Sequence, residues 1–199
     1  MDVSDADLDA AARAARDGGL VVYPTETVYG LGADALNEDA IEAAFEAKER
    51  PRNKPLSFAF PTYEAALDHV RVGEAEREFM AEFLPGPVTV VCEKRDTVPE
   101  ALTGGRDRVG VRVPDHDVAL ALLDRVAPLT STSANISGRP SVTRPADLDP
   151  EFRERVDFVL DAGETPGGTG STVVDVAQGE ILREGANAAA IEDWLAARR

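Results

Sequence analysis

Segments with a helical pattern and segments with a strand pattern alternate along this chain, and no other feature restricts its possible folds as much. Asp5–Arg16 and Glu38–Glu49 have apolar residues at helical spacing, and a short apolar run typical of a strand follows each of them. Strands interleaved with helices pack as a sheet with helices laid against it. The sequence therefore predicts an α/β fold.

The other elements follow from the same periodicities. Strands are predicted over 20–24, 55–60, 88–94, 108–114 and 158–163, and over two runs within 172–184 that meet at a tight turn at Gly179. Helices are predicted over 62–70, 73–84, 116–126 and 188–198. Because no repeat, low-complexity tract or linker interrupts this order, we expect a single domain over 1–199.

The charge balance is strongly acidic, with 37 Asp plus Glu against 21 Lys plus Arg and a formal net charge of −16. Such a surface repels nucleic acid, so we do not expect an extended RNA-binding face. We interpret the acidic, lysine-poor surface as a halophilic one, suited to a salty cytoplasm where exposed charges are screened. No apolar run is long enough for a membrane span, and no signal peptide is apparent, so a cytoplasmic location is expected.

Cations nevertheless gather at one point, in KERPRNKPL at 48–56. This segment contains Lys48, Arg50, Arg52 and Lys54, and its prolines stiffen it, which lowers the cost of ordering it around an anion. The alternative is a solvated helix end with surface cations. Arg112, in the middle of an apolar strand, needs an anionic partner, which is either a structural carboxylate or a ligand carboxylate.

Two polar segments add candidate groups without fixing their roles. The hydroxyl-rich stretch 130–138 is either an anion-binding loop or a turn that satisfies its own backbone. Glu26 could be a base, a metal ligand or a loop stabiliser. Neither a P-loop nor a complete GxGxxG motif occurs, and the single cysteine, Cys92, excludes an internal disulfide. From the residues alone, we expect an enzyme that binds anionic small molecules.

Several motifs taken together resemble the YrdC family, the L-threonylcarbamoyladenylate synthases. They are YPTETVYGLG at 23–32, KERPRNKPL at 48–56, PGPVT at 85–89, VRVPDH at 111–116, STSANISG at 131–138, STVVD at 171–175 and LREG at 182–185. Their order and spacing match from about residue 20 to 185. Each motif is weak alone, but the set is specific.

The resemblance implies a twisted mixed α/β sheet with a large concave, cation-lined cavity, in the short single-domain form of the family. It implies a nucleotidyltransferase that converts L-threonine, bicarbonate and ATP, with Mg²⁺, into threonylcarbamoyl-AMP and pyrophosphate. A threonylcarbamoyl transferase complex would take the product to tRNA, for threonylcarbamoyladenosine (t6A) beside the anticodon, and weak tRNA binding is possible. The alternative is a nucleotide- or RNA-binding paralogue without threonine activity.

The resemblance also assigns roles to individual residues, and it implies no metal ligands among the protein side chains. Lys48 and Arg50 would be the catalytic cations, facing the reactants. The threonine-binding residues would be Thr27, Arg112, Ser131 and Ser171. The nucleotide-binding residues would be Arg50, Lys54, Arg108, Ser133, Asn135, Ser141 and Arg183. Lys54 stands where family members often have Asn.

Overall fold

A computed structural model describes residues 3–198, and its centre is a mixed β-sheet. The strands are β1 (Val21–Tyr23), β2 (Gly30–Gly32), β3 (Ser57–Ala59), β4 (Val70–Arg71), β5 (Val88–Lys94), β6 (Arg108–Arg112), β7 (Leu129–Ser133), β8 (Phe158–Val159), β9 (Thr172–Asp175) and β10 (Glu180–Arg183). The helices are α1 (Asp5–Arg16), α2 (Glu38–Ala47), α3 (Tyr63–Ala66), α4 (Glu74–Phe83), α5 (Glu100–Thr103), α6 (Asp117–Val126), α7 (Pro150–Arg153) and α8 (Ala188–Ala196), with a 3₁₀ turn at Pro145–Asp147.

The strands are ordered β10-β9-β5-β6-β3-β7-β2-β1-β8, and β4 also pairs with β5. The pairs β1/β8, β3/β6 and β5/β9 are parallel, whereas the others are antiparallel. Strands distant in sequence thus become neighbours in the middle of the sheet. This arrangement confirms the expected α/β fold.

The apolar core divides between the two faces of the sheet. Side chains alternate along a strand, so Val22 joins one buried cluster while Val21 and Tyr23 join the other. The smaller cluster lies beneath α1 and α6, where Leu8 and Leu122 are buried. Ser4 caps α1 in a capping box with Asp7, which explains why this helix begins where the sequence predicts.

Three strands, β2, β4 and β7, were not expected from the sequence. In β2, Gly30 and Gly32 are poor strand formers, but they leave room for the ring of Tyr23 on the neighbouring strand. A Cβ atom on Gly32 would lie 3.0 Å from Tyr23 Cε1. In β7, the first half of the hydroxyl-rich stretch pairs with both β2 and β3 instead of forming a loop.

The predicted helix over 62–70 is wrong in its second half. Helix α3 ends at Ala66, and Val70 and Arg71 form β4 against the end of β5. The conformation of this segment is determined by its pairing with Lys94 and Glu93 and not by its local periodicity. Among the helices of residues 3–198, none has both the length and the hydropathy required to cross a membrane.

Candidate active site

A cavity of about 790 Å³ lies over one face of the central strands, since alternate residues along the whole of β6, Arg108, Gly110 and Arg112, line it. Its walls come from segments that lie far apart in the sequence, from Tyr23 to Arg183. The walls combine hydroxyl and cationic side chains with apolar ones in about equal surface. The cationic lining residues are Arg50, Lys54, Arg106, Arg108, Arg112 and Arg183.

Most of the residues that the resemblance singles out do line this cavity. Lys48 and Asn135 are the two that do not. The lining residues among those expected are Thr27, Arg50, Lys54, Arg108, Arg112, Ser131, Ser133, Ser141, Ser171 and Arg183. Their individual roles stay predictions, but the fold brings them to one recess.

Arg112 is buried in the cavity wall at the end of β6, with 8% of its surface exposed. Its Nη2 donates to Glu26 Oε1 (2.9 Å), Thr27 Oγ1 (2.7 Å) and, at 3.4 Å, Thr25 Oγ1. The anionic partner that the sequence required is therefore present within the chain, as the structural carboxylate of Glu26. A ligand carboxylate is a further possible partner, because Arg112 also faces the cavity.

Arg50 and Arg183 lie close enough in the cavity to repel each other. Burial lowers the pKa of Arg50, and the charge of Arg183 lowers it further. Burial likewise lowers the pKa of Arg183, and the charge of Arg112 adds to this effect. Mutual repulsion among three arginines favours binding of a polyanion between them, since an anion offsets all three charges.

Backbone carbonyls hold two of these arginines in place. Arg50 donates from Nε to Lys54 O (2.8 Å) and from Nη2 to Pro55 O (2.9 Å). Arg183 Nη2 donates to Ser171 O (2.8 Å). Neither guanidinium has a carboxylate partner in these contacts, so both keep their positive charge available to a ligand.

Arg108 at the start of β6 forms a separate ion pair at the cavity wall. Its Nη2 donates to Asp175 Oδ1 (2.8 Å) and to Val91 O (2.7 Å). Asp175, the last residue of the STVVD motif, is buried. The cavity therefore contains two Arg–carboxylate pairs, with Arg112 and Arg108 at opposite ends of β6.

Lys48, which was expected to face the reactants, does not line the cavity in this structure. Only 1% of Lys48 is exposed, and its ammonium lies behind the cavity wall. Lys48 Nζ donates to the carbonyl oxygens of Ser133 and Asn135, the latter at 2.8 Å. Burial lowers the pKa of Lys48 to about 7, with the charge of Arg50 as a second cause.

Asn135 likewise lies outside the main cavity and lines a smaller adjoining one of about 390 Å³. Its Nδ2 donates to Ile136 O (2.9 Å) and Arg139 O (2.7 Å). Its side chain therefore shapes the turn after β7. Together, Lys48 and Asn135 hold the backbone whose Ser131 and Ser133 line the cavity.

The end of α2 explains why Lys48 and Arg50 point to different places. Arg50 N–H donates to Phe45 O (2.9 Å) and Glu49 N–H to Glu46 O (3.0 Å), the two bonds of a Schellman motif. Glu49 adopts a left-handed conformation (φ 49°), where glycine is usual. The reversal turns Lys48 toward the core and lets Arg50 reach the cavity.

Tyr23, Ser57 and Gly110 also line the cavity, although they were not among the expected site residues. Tyr23 is buried in the wall, and burial raises its pKa to about 12, so it stays a neutral hydroxyl at physiological pH. Gly110, between the two paired arginines of β6, brings the backbone close to Ser57, since a Cβ there would lie 2.3 Å from Ser57 Oγ. The sequence pattern RVGVR, with Gly110 between two arginines, is a local indication of Gly110 as a site residue. No local pattern indicates Ser57.

No group of three or more His, Cys, Asp or Glu side chains in the described part of the chain is arranged to hold a metal ion. The carboxylate of Asp175, which lines the cavity, and that of Glu26, which does not, are both paired with arginines. The lining groups fit phosphate and carboxylate oxygens better than a resident cation.

Comparison with known proteins agrees with this geometry. The Sua5_yciO_yrdC family, described as telomere recombination, matches residues 13–185. The threonylcarbamoyl-AMP synthase of Pyrococcus abyssi is 43% identical over 84% of this chain and 50% of that protein. The enzyme of the same name from Idiomarina loihiensis is 33% identical over 91% of this chain and 100% of that protein.

Solved structures share the fold. P. abyssi Sua5 complexed with L-threonine superposes with a TM-score of 0.87 at 40% identity, over 93% of this chain and 56% of that one. E. coli YciO superposes with a TM-score of 0.82 at 26% identity, over 90% of this chain and 89% of that one. The chain spans about half the length of the P. abyssi and Bacillus subtilis relatives. On the family match and these identities, the chain belongs to the Sua5/YciO/YrdC family.

Proposed function

We propose that this chain is an L-threonylcarbamoyladenylate synthase, which makes threonylcarbamoyl-AMP and pyrophosphate from L-threonine, bicarbonate and ATP. The observation that carries the proposal is a cation-lined cavity in a chain of net charge −16. ATP, bicarbonate and an amino-acid carboxylate repel one another, and only concentrated cations offset that repulsion. The names of the relatives and the L-threonine complex of a 40% identical protein support the same reaction.

The chemistry needs no covalent nucleophile. The amino nitrogen of threonine attacks the carbon of bicarbonate, or of the CO₂ derived from it, and water leaves as the carbamate forms. A carbamate oxygen then attacks the α-phosphorus of ATP, and pyrophosphate departs with the electrons of the broken bond. The cavity would accelerate both steps by holding the reactants together and by neutralising charge.

We assign threonine and ATP to two different regions of the cavity, according to the residues that line each region. Arg112, with Thr27, Ser131 and Ser171, would bind threonine through its carboxylate and hydroxyl. Arg50 and Arg183 would bind the phosphates, because neither is paired with a carboxylate in its contacts. Arg108, Lys54, Ser133 and Ser141 would contact the nucleotide. Mg²⁺ would enter with ATP, held by phosphate oxygens and water.

The wider setting of the reaction is also part of the proposal. The labile adenylate would pass to a threonylcarbamoyl transferase complex that modifies tRNA to t6A. A cytoplasmic location and weak tRNA binding are expected from the same role.

Mass spectrometry tests the proposal directly. The purified chain is incubated with ATP, threonine, bicarbonate and Mg²⁺ at several salt concentrations, and each reactant is omitted in turn. We expect threonylcarbamoyl-AMP and pyrophosphate only in the complete mixture. Nucleotide or tRNA binding without any adenylate would instead identify a paralogue without threonine activity.

A further inference from the structure

The ion pair between Glu26 and Arg112 leaves one atom of each partner unsatisfied. Glu26 Oε2 and Arg112 Nε are both buried, and neither has a hydrogen-bond partner within the described residues. The Glu26 side chain is only 12% exposed and the Arg112 side chain 9%. Groups buried to this extent normally find hydrogen-bond partners. The incomplete hydrogen bonding of this ion pair therefore indicates a role beyond stabilising the fold.

The geometry of a guanidinium explains what that arrangement provides. Nε and Nη2 form one edge of the plane, and Nη1 and Nη2 form another, and each edge matches a carboxylate. Nη2 is common to both edges, and it donates to Glu26 Oε1 (2.9 Å) and Thr27 Oγ1 (2.7 Å), whereas the buried Nε is unsatisfied. Glu26 therefore holds Arg112 through Nη2 alone. Nη1 has no hydrogen bond within the described residues and is not one of the buried unsatisfied atoms, so it is the nitrogen left to face the cavity that Arg112 lines.

The hydroxyls of the same segment strengthen this orientation. Thr27 Oγ1 and Thr25 Oγ1 accept from the same Nη2, at 2.7 and 3.4 Å. Thr25 and Thr27 themselves hydrogen-bond to each other (2.9 Å). Three acceptors from consecutive residues thus fix one nitrogen of Arg112, so the guanidinium cannot rotate without breaking all three contacts.

Charge adds a second reason for Glu26. Arg112 lies near Arg183, and the two guanidiniums repel each other. Without a carboxylate behind it, Arg112 would be driven away from this neighbour or would attract any small anion. Glu26 offsets one positive charge, so the Arg112 end of the cavity suits a zwitterion with a single carboxylate.

We propose that Glu26 is a positioning residue that holds Arg112 through Nη2, so that Nη1 receives the carboxylate of the amino-acid substrate. Glu26 acts through Arg112 and does not touch the substrate, in agreement with its absence from the cavity lining. It is therefore neither the base that accepts the amine proton nor a metal ligand. This inference rests on the proposed function, since it needs an amino acid at Arg112.

The test measures threonine and ATP dissociation constants by calorimetry on the full chain. The variants are Glu26→Ala, Glu26→Gln, Arg112→Ala and the double variant Arg112→Ala/Glu26→Ala. We expect Glu26→Ala to raise the Kd for threonine about tenfold, the scale of one lost charged hydrogen bond. The Kd for ATP should change less than about threefold, and Glu26→Gln, which keeps an acceptor, should lie between wild type and Glu26→Ala.

The double variant separates positioning from direct contact. If Glu26 acts only through Arg112, then Arg112→Ala/Glu26→Ala binds threonine no worse than Arg112→Ala. Additive losses would overturn the inference, because they mean that Glu26 touches the substrate. If Glu26→Ala fails to fold, the same cycle is run with Glu26→Gln.

A matched control comes from the other ion pair of β6. Asp175→Asn removes the charge beside Arg108, so it should alter the Kd for ATP more than the Kd for threonine. A folded Glu26→Ala with unchanged threonine affinity would overturn this inference and leave the proposed function standing. A wild-type chain that binds no threonine would overturn both.

Discussion

At the scale of single residues, Lys48 shows how far a side chain can lie from its expected place. The KxR spacing indicates two cations in the site, yet the structure places Arg50 in the cavity and Lys48 behind its wall. Lys48 supports the site indirectly, since its ammonium holds the carbonyls of Ser133 and Asn135. Activity and stability should therefore respond differently at these two positions.

Replacement of Lys48 should mainly affect stability. Lys48→Met keeps the volume but leaves buried carbonyls without a donor, which we expect to cost about 1–3 kcal/mol in the free energy of unfolding. Urea unfolding measures this cost. Lys54→Met, on the exposed rim, is the control and should change stability by less than about 0.5 kcal/mol. A fully stable Lys48→Met would contradict the supporting role.

The same residue should make stability depend on pH. In the unfolded chain a lysine keeps its proton up to about pH 10.4, whereas the folded pKa of Lys48 is about 7. Between these values the unfolded state binds more protons, so raising the pH favours the folded state. We expect wild type to gain roughly 1–2 kcal/mol over Lys48→Met from pH 6 to pH 9, by paired unfolding curves. A constant difference between the two proteins would be the contrary result.

Replacement of Arg50 should mainly affect catalysis. Arg50→Ala removes a cavity cation whose own contacts are two backbone carbonyls, so the fold should persist. We expect product formation to fall by roughly 100-fold or more, the scale for one lost charge-stabilising donor. Near-normal turnover in a folded Arg50→Ala would show that the phosphates bind elsewhere.

At the scale of elements, the turn after α2 directs both cations. Glu49 adopts its left-handed conformation although it is not glycine, a conformation that costs about 1 kcal/mol for such a residue. The exposed contact between Glu49 and Arg155 (3.0 Å) offsets little of this cost.

This strain gives a paired prediction. Glu49→Gly and Glu49→Ala both lose the Arg155 contact, but only glycine relieves the backbone. We therefore expect Glu49→Gly to be more stable than Glu49→Ala by about 0.5–1 kcal/mol, measured by thermal or urea unfolding. Equal stability of the two variants would argue against strain at this turn.

The elements also show why some of the structure could be predicted and some could not. Helices α1 and α2 match their predicted starts, because the caps at Ser4 and Asn37 are local signals. Apart from one leucine each, strands β2 and β7 consist of glycines and hydroxyl residues, which form strands only because distant partners pair with them. The cavity residues were found from motifs, whereas the inward turn of Lys48 depends on backbone geometry that no motif states.

At the scale of the whole molecule, the net charge of −16 should govern the response to salt. Repulsion among the many surface carboxylates destabilises the compact state, and added salt screens it. We expect the Tm to rise by several degrees between about 0.1 M and 2 M KCl, measured by calorimetry. A Tm that is highest at low salt would contradict a halophilic surface.

The cavity walls come from residues as distant as Tyr23 and Arg183, and the hairpin of β9 and β10 completes them by joining β5. During synthesis on a ribosome, a nascent chain that stops before this hairpin lacks the part of the wall that contains Asp175 and Arg183. On the proposed function, full binding of ATP or threonine would therefore require that the last strands have docked. In a cell, abundant ATP would selectively protect finished molecules from proteolysis and leave incomplete ones exposed to it.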